Sequence, residues 1–236
     1  MKLVRKISRG INWPRALAID SIGNLYVACR QVVRVYAPGR TSVLRTIHVS
    51  SPTALAFDAS GYLYVAGAVV TVYAPGGTTP LRTITDGISS PSALAFDKNG
   101  NLYVANFDAQ GPSGGVGTVT VYAPGGTTVL RTISEGVLEP DALVFDDSGN
   151  LYVANYSSLR SQGNDVTVYT PDGGSPIRTI SQSVNAPDSL AFDDAGNLFI
   201  ANFYGNNVTI YAPGLGSVKR TISEGVGSPR ALAFGP

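Results

Sequence analysis

The sequence predicts an all-β chain made of four-stranded antiparallel units repeated around an axis. Three observations carry that prediction. One proline recurs at Pro14, Pro52, Pro91, Pro140, Pro187 and Pro229, at intervals of 38 to 49 residues. The apolar runs between prolines are too short for helices and rich in Val, Ile, Tyr and Thr. Turn residues separate every run from the next, in keeping with 27 glycines and 15 prolines in 236 residues. The interval is that of a β-propeller with four strands to each repeat.

Each repeat reads in the same order. The first strand follows the indexing proline, as in Ala16-Leu17-Ala18-Ile19 or Ser189-Leu190-Ala191-Phe192. An Asp then opens a turn closed by Gly23, Gly61, Gly100, Gly149 or Gly196. The carboxylate is suited to accept turn amides, and the glycine supplies the positive φ of a short hairpin. The second strand is Leu-Tyr-Val-Ala or a close variant, Leu198-Phe199-Ile200-Ala201 in the fifth copy. The third ends in Tyr36, Tyr73, Tyr122, Tyr169 or Tyr211, and the fourth carries Arg-Thr-Ile from Arg45, Arg82, Arg131, Arg178 and Arg220.

Both alternating sides of these runs are apolar, the pattern of strands covered on both faces. Sheets standing side by side around an axis provide that cover. Five complete repeats are expected, at approximately 14–47, 52–84, 91–133, 140–180 and 187–222, within one domain spanning 1–236. Two orphan strands remain, 3–7 matching a fourth strand and 230–234 matching a first. They are expected to pair as an incomplete sixth blade. The rival arrangement is a ring completed by a second chain.

Composition restricts the function classes. The net charge is +1, but residues 1–45 hold nine basic residues against one acid, while residues 133–194 hold ten acids against two bases. No apolar run is long enough to span a bilayer as a helix, and no signal-peptide h-region follows Met1. A single cysteine, Cys29, excludes an intrachain disulfide framework. One histidine, His48, leaves zinc chemistry or a Ser-His-Asp triad resting on a single residue.

The pattern Pro-x-Ala-Leu-Ala-Phe-Asp-x-x-Gly-Asn-Leu-Tyr-Val-Ala-Asn, complete at Pro91–Asn106, resembles the NHL-repeat class of β-propellers. The resemblance runs from Leu3 to Phe234, and the Ala-Pro-Gly-Gly and Leu-Arg-Thr-Ile segments are similar to those of bacterial propellers, many of them exported. It implies a scaffold whose function sits in grafted sites. It also implies that loops between second and third strands share a face with the linkers between repeats. That face is variable here, with long loops at Phe107–Gly117 and Tyr156–Asp165. Variable loops on a regular scaffold are where binding residues gather.

The residues just after the indexing prolines, Arg15, Thr53, Ser92, Asp141, Asp188 and Arg230, are expected at the mouth of the central channel. The mouth is then basic at the seam, with Arg9, Trp13 and Arg30 near Arg15, and acidic opposite. Phe107, Tyr156, Phe203 and Tyr204 fall in the variable loops and are the aromatic contact candidates. The leading expectation is a non-enzymatic scaffold that binds a protein or small ligand on this face, without a cofactor. The alternative is a lactonase-like hydrolase. The resemblance to lactonase-type propellers implies a divalent cation there, with Glu139, Asp141, Asp188, Asn155 and Asn202 offering oxygen donors suited to Ca²⁺. A further alternative is a truncated or engineered propeller fragment without selected function. Self-association through oppositely charged repeats is also open, whereas the acidic half of the face disfavours nucleic acid.

Overall fold

The computed structural model describes residues 7–8, 10–107, 117–156, 164–214 and 216–232. These residues form twenty strands and no helix. The first sheet holds β1 (Ala16–Ile19), β2 (Leu25–Cys29), β3 (Val32–Tyr36) and β4 (Val43–His48). The second holds β5 (Ala54–Phe57), β6 (Leu63–Ala66), β7 (Val70–Tyr73) and β8 (Pro80–Ile84). The third holds β9 (Pro91–Phe96), β10 (Leu102–Asn106), β11 (Thr118–Tyr122) and β12 (Arg131–Ile133). The fourth holds β13 (Pro140–Phe145), β14 (Leu151–Asn155), β15 (Asp165–Tyr169) and β16 (Arg178–Ile180). The fifth holds β17 (Pro187–Phe192), β18 (Leu198–Asn202), β19 (Asn207–Tyr211) and β20 (Val218–Ile222).

Every sheet is an antiparallel meander in chain order, so the five expected repeats are five four-stranded sheets. The Asp-x-x-Gly turns are built as the residue types require. Asp97 Oδ1 accepts the amides of Asn99 and Asn101 at 2.9 and 2.8 Å, and Gly100 takes a φ of 80°.

Successive sheets pack through their first strands, β1 on β5, β5 on β9, β9 on β13 and β13 on β17. One aromatic contact repeats at each junction. The second-strand tyrosine of one sheet meets the first-strand phenylalanine of the next edge-on, as in Tyr64–Phe96 at 5.0 Å and Tyr103–Phe145 at 4.9 Å. An arginine from the fourth strand covers that tyrosine: Arg131 lies 5.7 Å over the Tyr103 ring and donates to its hydroxyl at 2.6 Å. Four separate core clusters fill the four junctions, and a fifth lies on the outer face of the first sheet. There Ile7 and Ile11 pack against Val27, Cys29 and Tyr36.

Among the described residues no comparable packing joins the fifth sheet to the first, so the row of sheets is not closed. The first sheet's edge strand accordingly leaves Leu17 and Ile19 60% and 65% exposed. Residues 3–6, 233 and 234 of the expected closing strands lie outside the described residues. Their described members, Ile7 and residues 230–232, are not in strands. No helix among the described residues is long and apolar enough to cross a membrane.

Candidate binding site at the inner edge of the sheets

The inner edge is shaped by one unusual backbone step made six times. The residue before each indexing proline is held in the left-handed region: Trp13, Ser51, Ser90, Glu139, Ala186 and Ser228 have φ between 43° and 52°. Non-glycine residues rarely adopt this conformation. In the third to fifth sheets the carbonyl of that residue accepts the amide just past the second strand, from Phe107, Tyr156 and Phe203. The kink aims the residue after the proline along the row. Thr53 Oγ1 donates to the Pro91 carbonyl at 2.6 Å, and Ser92 Oγ donates to that of Pro140.

Carboxylates replace hydroxyls in the next two steps. Asp141 and Asp188 hydrogen-bond to one another, and Arg230 Nη1 stands 3.8 Å from Asp188 Oδ2. Burial, followed by the hydrogen bond and charge of Asp188, pushes Asp141 from 3.8 up to about 8, with the Arg230 charge opposing. The upward shift favours a proton held by the pair, which then offers one donor as well as acceptor oxygens.

The aromatic candidates line up because they occupy one register in successive sheets. Phe107, Tyr156 and Phe203 each directly follow the asparagine that ends a second strand. The Phe107 and Tyr156 rings are 6.2 Å apart, those of Tyr156 and Tyr204 are 6.0 Å apart, and those of Phe203 and Tyr204 are 5.1 Å apart. Tyr156 donates to Tyr204 between hydroxyls at 3.0 Å. That bond, then burial, then the charges of Tyr204, Asp141 and Asp188 push Tyr156 up to about 12. Arg230 closes the row with its guanidinium 4.3 Å over the Phe203 ring. The carboxyl pair and the aromatic row are thus one continuous surface, joined by Arg230.

Other sequence candidates fall elsewhere. Asn155 and Asn202 are fully buried and committed to holding the linkers between sheets. Asn155 Oδ1 accepts the Leu138 amide at 3.0 Å, and Asn202 Oδ1 accepts that of Asn185 at 2.9 Å. Glu139 supplies the left-handed backbone step at Pro140. Among the described residues no group of three or more His, Cys, Asp or Glu stands together to hold a metal ion. Trp13, Arg15 and Arg30 are exposed on the first sheet, at the other end of the row of packed sheets, with Trp13 74% accessible. Arg9 lies outside the described residues, as does most of each long loop, at 108–116 and 157–163. Cys29 is buried in the first sheet's outer cluster.

Sequence reasoning named these aromatics but missed their contact with one another and the stacking of Arg230 on Phe203. The available signal was positional, since Phe107, Tyr156 and Phe203 share one register and Asp141, Asp188 and Arg230 share another. Comparison with known proteins finds no protein-family model and no curated protein that matches the chain.

Proposed function

We propose that the protein is a non-enzymatic, propeller-like scaffold that binds a protein segment or small ligand at the Asp141–Asp188–Arg230 and aromatic surface. The observation that carries this reading is the convergence of the Asp141 and Asp188 carboxyls, a guanidinium and four aromatic rings at the inner edge of adjacent sheets. The pair both donates and accepts, which suits an amide, a hydroxyl or a cationic head. The rings offer planar faces to an apolar or sugar surface. The test is a screen of immobilised wild-type protein against peptide and oligosaccharide arrays, repeated with Tyr156→Ala/Tyr204→Ala and with Asp141→Asn. Binders should lose at least tenfold in affinity to one of these variants. Binders unaffected by both variants, or no binder on either array, would refute the site. Calcium chloride is run alongside. A rise in Tm that Asp141→Asn abolishes would instead favour the divalent-cation hydrolase reading, because ligands of the native state raise its stability.

The same proposal takes the architecture as an NHL-like propeller with six angular positions. Its sixth position is filled by the segments 3–7 and 230–234. Ser228 repeats the left-handed step with φ 43°, the Val226 amide donates to Ser223 as at other linkers, and Leu232 N donates to Ser189 Oγ at 3.1 Å. These features support a sixth first strand beginning against the fifth sheet. Sedimentation decides between this arrangement and completion by a second copy: a compact monomer supports it, and a dimer at micromolar concentration overturns it.

A further inference from the structure

One linker between repeats is shorter than all the others. The isoleucine that leads into each linker stands seven positions before the indexing proline at Ile7/Pro14, Ile84/Pro91, Ile133/Pro140, Ile180/Pro187 and Ile222/Pro229, but five before it at Ile47/Pro52. The full-length linkers all form the same tight turn. An amide donates three residues back from Ile11 to Ser8, Ile88 to Thr85, Val137 to Ser134, Val184 to Ser181 and Val226 to Ser223. No such bond is made between residues 48 and 51.

In the third to fifth sheets that turn caps the tyrosine ending the third strand. Tyr122 donates to the Asp86 carbonyl at 2.6 Å, Tyr169 to that of Glu135 at 2.7 Å, and Tyr211 to that of Gln182. The turn's next residue lies directly on the tyrosine and on a third-strand threonine. A Cβ on Gly87 would come within 3.1 Å of Thr120 Cγ2 and 3.4 Å of Tyr122 Oη. In the second sheet the equivalents are Thr71 and Tyr73. Tyr73 is 1% exposed, yet its hydroxyl makes no hydrogen bond, and neither does that of Thr71. Burial alone pushes Tyr73 up, with no hydrogen bond acting on it.

The shortened linker instead crosses closer to the second strand. Gly67 stands where later sheets have Asn106, Asn155 and Asn202, and a Cβ there would meet Ser50 O at 2.9 Å. The place of the turn is left as a cavity of about 260 Å³. Tyr73, Thr71, Thr83, His48, Val69 and Pro80 are among its walls. The Tyr73 hydroxyl, uncapped by the protein, is not among the fully buried unpartnered atoms and so faces the recess, where a ligand acceptor can reach it.

We propose that this cavity is a binding site for a small neutral amide whose carbonyl oxygen accepts the Tyr73 proton. The ligand does for the second sheet what the Asp86 and Glu135 carbonyls do for the third and fourth. Charge is disfavoured because Tyr73 and His48 are the only titratable groups lining the recess. The site is separate from the aromatic surface, so either proposal can fail without the other.

The test is an NMR titration of the full chain with N-acetylglycinamide, a probe about as large as the missing turn, against tert-butanol as a carbonyl-free control. Saturable shifts are expected at the Val69 and Thr71 amides with N-acetylglycinamide and not with tert-butanol. Tyr73→Phe should weaken binding at least tenfold while keeping the ring and the fold. A second variant with Asp-Gly inserted between His48 and Val49 rebuilds the turn, with its glycine three positions after Ile47 as Gly87 follows Ile84; it should lose the site and melt higher than wild type. Non-saturating shifts, equal response to tert-butanol, or unchanged affinity in Tyr73→Phe would each overturn the proposal.

Discussion

Replacing Asp141 by Asn should remove a large pH dependence of stability while leaving the fold in place. Asp141 sits at about 8 in the folded protein against an ordinary value of 3.8, chiefly through burial and then through Asp188. The folded chain thus binds one more proton than the unfolded chain across that window. Stability from this group is full below about pH 4 and is lost as pH rises toward 8. One proton corresponds to about 1.4 kcal/mol of stability for each pH unit, or roughly 3–6 °C in Tm for a chain of this size. Asparagine keeps the shape and a donor but cannot ionise. The assay is urea denaturation at half-unit steps from pH 4.5 to 8.5, on wild type and Asp141→Asn. Wild type should lose stability steadily with rising pH, and the variant should not, so the two curves diverge toward alkaline pH. Parallel curves would refute the assignment of a retained proton to this pair.

Three further outcomes follow from the repeating contacts. Arg131→Met removes donors to the Tyr103 hydroxyl and to the Pro171 carbonyl at 2.6 and 2.7 Å. It should cost about 1.5–3 kcal/mol in urea denaturation, the range for hydrogen bonds from a charged group. Asn202→Ala strips the Asn185 amide of its acceptor and Thr209 of a donor in a fully buried site. A loss of about 2 kcal/mol is expected, and a change below 0.5 would contradict the capping role. Asp193 is held below the ordinary carboxylate range mainly by the Asn197 amide, aided by the Asn197 and Ala195 backbone amides and the Lys219 charge, against burial. Its contribution is present above about pH 4 and disappears as pH falls through the lowered value. An NMR titration of its side chain should show the depressed midpoint, and Asn197→Ala should return that midpoint toward normal.

The strands were legible because each obeys a local rule: Val, Ile and Tyr in short runs, an Asp-x-x-Gly turn after the first, a proline before it. Leu102–Asn106 could be read as a strand covered on both faces from its own residues. The rule also located Asp141, Asp188 and Arg230 in one register. It did not reveal that the Asp141 and Asp188 carboxyls touch, because contact depends on the left-handed step before each proline, which no propensity of Glu139 or Ala186 foretells. Asn155 and Asn202 misled for a related reason. Oxygen donors at strand ends suit a cation, yet here each amide oxygen faces the backbone of a preceding linker. The tyrosines ending the third strands were legible as part of the repeat, but their hydroxyl partnership with the linkers lay in long-range geometry.

The junctions between sheets carry a consequence for how the molecule comes apart. Among the described residues each sheet packs on its chain neighbours through the same Tyr–Phe edge contact and the same step from first strand to first strand. Cooperativity in such a row is passed from unit to unit, as in a one-dimensional lattice. Opening should therefore begin at the first and fifth sheets and travel inward. The slowest amide exchange should fall on Val104 and Val121, in the third sheet, which has two packed neighbours on either side.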